Sequence, residues 1–156
     1  RRRLNIGMLP NIDFLEYQMG WELPTAIVND PDMQTLAALS AEVVAIVNDL
    51  HGYTKDRTLA WCNLVPCLAH ELAIAEHEAF HRAADMHNTR VRAAARLEAQ
   101  LLARSKDQPG MTRWIQGLRH IMYGFARWHA MAPRYRVHHE LADAGQIQLR
   151  IVHSRP

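Results

Sequence analysis

Nowhere in these 156 residues do two acidic side chains stand side by side. Cysteine is nearly absent too, with Cys62 and Cys67 the only pair. Both fall within one predicted helix, and a spacing of five puts them off a common face, so no mutual disulfide is expected. Free thiols point to a reducing compartment. No apolar run reaches the roughly 18 residues that span a bilayer, and the N-terminus has no apolar stretch of the signal-peptide kind. The expectation is a cytoplasmic protein without a membrane span. Concentrated positive charge is missing as well. The net charge is +2 with Lys and Arg dispersed, and the opening Arg1-Arg2-Arg3 is too short for a polybasic arm, so nucleic acid is not an expected partner. There is no internal repeat, low-complexity tract or domain linker. The chain also lacks an initial Met and opens within a helical pattern, which suggests a fragment.

What is present is enough for one domain with a real core: 49% hydrophobic and 22% charged residues. The pattern is helical almost throughout. A first helix is predicted over about 1–19, disturbed at 7–10 where Gly7 and Pro10 weaken the ladder, and Gly20 with Pro24 ends it. Asn29-Asp30-Pro31-Asp32 reads as a turn and N-cap. Residues 33–55 form a long apolar helix, with Leu36, Leu39, Val43, Val44, Val47 and Leu50 at three- and four-residue spacing. A shorter helix follows over 59–69, bent or split by Pro66. Another runs over 73–104, Pro109-Gly110 breaks the chain, and the last covers 112–131 and stops at Pro133. The tail from 136 holds one short candidate strand, 147–152. Together these make an all-α helical bundle.

The chemistry concentrates in Asn48-Asp49-Leu50-His51-Gly52-Tyr53-Thr54-Lys55-Asp56. Asn48, Gly52 and Asp56 lie at i, i+4 and i+8, one slowly rotating stripe of a helix. An amide oxygen and a carboxylate on one stripe suit a hard divalent cation such as magnesium, and Lys55 beside them offers a point charge to a phosphate oxygen. Upstream lies the apolar run Val43-Val44-Ala45-Ile46-Val47, so such a site would open onto a greasy cavity. Taken alone, the same segment reads more readily as the solvated end of a helix.

In sequence order, this stretch resembles the second metal motif of bacterial class I terpene synthases, Asn-Asp-x-x-Ser/Thr-x-x-Lys/Arg-Glu/Asp. It matches at Asn48, Asp49, Lys55 and Asp56. Gly52 departs from it, because it cannot supply the usual hydroxyl ligand; a water could take that place. Trp128-His129-Ala130-Met131-Ala132-Pro133-Arg134-Tyr135 resembles the family's closing segment with its Arg-Tyr pair. Arg3 and Gly7 match the spacing of its diphosphate-sensor arginine and effector glycine, with Arg2 as the sensor if the register differs by one. Asn63-Leu64-Val65-Pro66 and Met86-His87-Asn88-Thr89-Arg90-Val91 also resemble family stretches.

The resemblance covers 1–135 and implies the C-terminal half of a class I terpenoid-synthase bundle, with 136–156 as a tail. It implies an enzyme that ionises and cyclises a linear prenyl diphosphate, farnesyl diphosphate by default, with Mg²⁺. Asn48 and Asp56, with Gly52 at the third position, would serve the metal. Arg3, Lys55, Arg134 and Tyr135 would hold diphosphate, and Gly7 and Arg3 would act in catalysis. The family's aspartate-rich motif would precede Arg1 in a missing N-terminal half, without which the chain is not expected to catalyse. A homodimer is one assembly left open.

Two other readings compete. His77-Glu78-Ala79-Phe80-His81 is a formal His-Glu-x-x-His match, the pattern of zinc hydrolases. Ten histidines make chance matches common, and only Glu98 offers itself, loosely, as a third ligand. The other rival is a non-catalytic helical module, which Gly52 encourages. Trp61, Trp114, Tyr123, Phe125 and Trp128 could steady carbocations or simply fill a core.

Overall fold

A computed structural model describes residues 6–59 and 62–136. Arg2, Arg3, Trp61, the candidate strand 147–152 and the tail beyond 136 lie outside that set. Among the described residues the order is α1 Met8–Met19, α2 Thr25–Val28, α3 Pro31–Thr58, α4 Leu64–Leu72, α5 Glu76–Arg104, α6 Pro109–Met131 and α7 Pro133–Arg136. No strand interrupts them, as expected of an all-α bundle.

The boundaries follow from local chemistry. Gly7 is left-handed at φ 73°, where a side chain would be strained, and α1 starts immediately after it. Pro10, predicted to share in the break, instead sits in the first turn, where its missing N–H costs nothing. Gly20, again left-handed at φ 60°, closes the helix. At α3 the carboxylate of Asp30 accepts from the N–H groups of Asp32 and Met33 at 2.8 and 3.2 Å, and Pro31 occupies the first helical position. From the far end of α5, Arg104 reaches both oxygens of that carboxylate at 2.8 Å.

Three predicted boundaries require correction. The helix expected over 59–69 begins only at Leu64, because the side chain of Asn63 caps it by accepting from Val65 N–H at 3.0 Å. Pro66 then lies in the first turn and does not split the helix. Cys62 consequently precedes α4, whereas Cys67 lies within it, and both are free. Left-handed Ala73 ends α4, so α5 starts at Glu76. Pro109-Gly110 starts α6 and is no gap between helices; a Cβ on Gly110 would lie 1.8 Å from the Trp21 ring.

Helix α3 is the spine, packed against α4, α5, α6, α1, α2 and α7. Its N-terminal half joins one core with Met8, Ile12 and Leu15 of α1, Leu101 of α5, and Trp114, Ile115 and Leu118 of α6. Its C-terminal half joins a second, where Ile46, Leu50 and Tyr53 meet Val65, Ala79 and Ala83. By length and composition α3 could cross a bilayer, but 61% of that stretch is buried inside the fold. That is the signature of a core helix.

Burial would raise the Asp30 carboxyl, yet the N–H groups of Met33 and Asp32 and the Arg104 guanidinium outweigh it and hold it below the usual value. A depressed carboxylate stabilises the fold above its unfolded pKa, and that contribution fades as pH falls through the folded value. Asp30→Ala should therefore lower stability by about 1 kcal/mol at neutral pH. Denaturant titrations of both proteins should show the difference shrinking in acid.

Candidate metal centre

The C-terminal half of α3 turns three polar side chains toward its neighbours: Asn48, Asp49 and Asp56. Asp49 and Asp56 are only 1% and 4% exposed. Charges so placed demand partners. Asp49 finds one in the start of α4, accepting from Leu64 N–H at 3.0 Å. Asp56 accepts from Lys55 Nζ at 2.5 Å and from Asn63 Nδ2 at 3.0 Å. The same Asn63 amide also donates to the Asp49 carbonyl at 2.7 Å. One buried asparagine thus caps α4 and anchors the carboxylate of Asp56.

Asn48 faces the opposite partner. Its Nδ2 lies 3.0 Å from His129 Nε2 and donates to the Tyr135 hydroxyl at 3.3 Å. His129 is buried and tied through Nδ1 to the Phe125 carbonyl at 2.7 Å. Burial holds its imidazole below the ordinary value, helped by the Arg134 charge and opposed by the Phe125 bond. Rings of Trp128 and Tyr135 each pack 4.8 Å from it, with His51 stacked at 5.9 Å.

Tyr135 links the two ends of the stripe. Its hydroxyl meets Asn48 while Lys55 Nζ lies 6.0 Å from its ring centroid, and Lys55 in turn holds Asp56. The Arg134 guanidinium also lies against this ring, 5.1 Å from its centroid. The structure therefore gathers Asn48, Lys55, Asp56, Arg134 and Tyr135, from segments some 80 positions apart in the sequence. Gly7 forms a helix break as expected, its carbonyl accepting from Asn11 Nδ2 at 2.8 Å. Arg3 lies outside the described residues.

Gly52 acquires a reason. A Cβ there would meet Asp56 Oδ2 at 2.8 Å, so the carboxylate lies directly over Gly52. The Asp56 carboxylate thus occupies the room that a side chain at position 52 would take. With oxygen donors from an amide and a carboxylate on one face, this donor set fits a hard cation. It does not fit zinc. His77, Glu78 and His81 are exposed on α5, Glu78 facing Arg82 at 3.8 Å, and Glu98 is engaged by Arg119 at 2.8 Å. Among the described residues no three His, Cys, Asp or Glu side chains cluster as metal ligands. The zinc-hydrolase alternative is set aside. A cleft of about 780 Å³ exists elsewhere, between α1–α2 and the start of α6, lined by Trp21, Ile27, Pro109 and Arg113; it contains none of the stripe residues.

Comparison with known proteins decides the family. The family model described as terpene synthase family 2, C-terminal metal binding, matches residues 1–93. The chain belongs to the terpene synthases. It is 33% identical over 112 residues to 2-methylisoborneol synthase of Streptomyces ambofaciens, covering 70% of this chain and 25% of that protein. It is 32% identical over 143 residues to isoafricanol synthase of Streptomyces violaceusniger, covering 86% and 37%. Linalool/nerolidol synthase of Streptomyces clavuligerus shares the fold, with a TM-score of 0.75 at 23% identity over 82% of this chain and 46% of that one. The structure of 2-methylisoborneol synthase from Streptomyces coelicolor, in complex with Mg²⁺ and 2-fluoroneryl diphosphate, superposes with a TM-score of 0.69 at 30% identity, covering 74% and 36%. The chain thus spans between a quarter and under half the length of these terpene synthases, and its all-α bundle is theirs.

The sequence alone did not single out Asn63 or His129. Asn63 stood inside a quoted family stretch but was read within a helix, where a cap goes unseen. His129 adjoined the Arg-Tyr segment with no spacing of its own.

Alanine in place of a mid-helix glycine ordinarily stabilises by about 1 kcal/mol. For Gly52→Ala that gain should be cancelled, because the methyl must push Asp56 away from Asn63. In an Asp56→Ala background the gain should reappear, a coupling that a double-mutant cycle of thermal unfolding measures.

Proposed function

We propose that this chain is the C-terminal half of the catalytic domain of a terpene synthase that ionises and cyclises a linear prenyl diphosphate, farnesyl diphosphate being the default substrate. Residues 1–135 form that half and 136–156 a tail. The observation that carries the proposal is Tyr135 lying against both Asn48 and Lys55, so that the metal stripe and the Arg-Tyr pair form one surface. Asn48 and Asp56 bind Mg²⁺ through oxygen. Bound magnesium supplies Lewis-acid stabilisation of the charge that develops on the departing diphosphate.

The chain's own cations share that work. Lys55, already beside Asp56, and Arg134, at the end of the ring stack, offer N–H donors to phosphate oxygens. Tyr135 adds a hydroxyl. Arg3, outside the described residues, senses the diphosphate, and the carbonyl of Gly7, which now accepts from Asn11, turns toward the reacting carbon once released. An aspartate-rich helix from an N-terminal half completes the metal set, and the enzyme works in the cytoplasm.

The test uses the full-length protein with magnesium and inorganic diphosphate, followed by calorimetry. Asp56→Ala should weaken magnesium-dependent diphosphate binding and turnover by about a hundredfold or more, with the helical circular dichroism unchanged. A wild-type protein that binds neither ion would favour a non-catalytic helical module.

A further inference from the structure

The hydrogen bonds around Asn48 point one way only. A backbone carbonyl cannot donate, so the contact between His129 Nδ1 and Phe125 O at 2.7 Å requires a proton on Nδ1. In the neutral ring this leaves Nε2 as an acceptor. The group facing Nε2 at 3.0 Å must then be a donor, which identifies it as the amide nitrogen of Asn48. The same nitrogen donates to Tyr135 at 3.3 Å, so both of its hydrogens have partners on the α6–α7 side. An amide is planar, with its oxygen and nitrogen about 120° apart at the carbon. Fixing the nitrogen toward His129 and Tyr135 turns Oδ1 to the other side of the amide, away from the α6–α7 partners.

That orientation matters because the two ends of an amide are nearly identical in shape and opposite in chemistry. Only the oxygen can bind a hard cation; the NH₂ end would present hydrogens to it. The His129 imidazole is placed to make the choice: it is 1% exposed, held edge-on by Trp128 and against the Tyr135 ring, both at 4.8 Å.

We infer that His129 is a positioning residue, which selects the amide orientation of Asn48 so that Oδ1 faces the metal. It acts through Asn48 and touches neither ion. The inference rests on the reading of Asn48 as a magnesium ligand and adds a determinant supplied by α6, 81 positions away.

The experiment uses the full-length protein and measures the magnesium concentration that half-saturates inorganic diphosphate binding. His129→Phe keeps the ring packing but removes the acceptor, and should raise that concentration by about tenfold or more. His129→Gln carries a carbonyl oxygen at the reach of Nε2, and should stay within about threefold of wild type. In an Asn48→Asp background, whose two oxygens are equivalent, His129→Phe should lose most of its effect. Nitrogen-15 spectra of the metal-free protein should show the His129 ring protonated at Nδ1 and not at Nε2. Equal magnesium dependence in His129→Phe and wild type, or an Nε2–H ring, overturns the inference while leaving the magnesium site intact. If Asn48→Ala binds magnesium and diphosphate as wild type does, the metal reading itself fails, and this inference with it. Should His129→Phe not fold, the ring spectrum of the wild type still decides.

Discussion

Burying two carboxylates at the end of an apolar helix is the constraint around which this structure is arranged. Asp49 and Asp56 are almost wholly withdrawn from water, and an unpaired buried charge would cost several kcal/mol. The turn between α3 and α4 removes that penalty. Leu64 N–H and Asn63 Nδ2 aim at Asp49 and Asp56, and Lys55 supplies the countercharge. The start of α4 is therefore set as much by α3 as by its own sequence. A helix that began at 59 would lack the extended Asn63 cap, and each of the two carboxylates would lose a donor.

How much of this could be read from the chain divides along the distance over which each interaction acts. Gly20, Asp30 with Pro31, and Pro133 mark ends of helices through effects confined to a few residues, and each stands where periodicity and turn chemistry put it. The α3 seam was equally legible, since Leu36, Val43, Val44, Val47 and Leu50 all turn out buried or core-facing. Boundaries failed where a proline or a cap admitted two readings. Pro109 stops one helix or starts another, and the choice depends on Trp21 packing over Gly110, a contact across some 90 residues. At the site, the stripe of Asn48, Gly52 and Asp56 could be seen because helical spacing displays it. Asn63 and His129 could not, because their partners lie 14 and 81 positions away and no local pattern requires them.

Gly52 shows how a departure from a motif can be absorbed geometrically. A residue with a hydroxyl at that place would also bring a Cβ, and the Asp56 carboxylate now occupies the space that Cβ needs. The loss of a side chain and the lean of its neighbour are the same event.

In the proposed enzyme, the charges around Asp56 would let Lys55 serve two ligands in turn. Its ammonium lies on Asp56 and near the Tyr135 ring face, held by an ion pair and a weak cation–π contact. A divalent ion on Asp56 would take over the neutralisation of the carboxylate and repel the ammonium. A diphosphate brought with the metal would receive it on the side where Tyr135 and Arg134 already stand. Replacing one ion pair by two leaves no buried charge without a partner at either stage. Metal and diphosphate would then favour each other's binding, since the metal would neutralise Asp56 and the diphosphate would receive the Lys55 ammonium released from it.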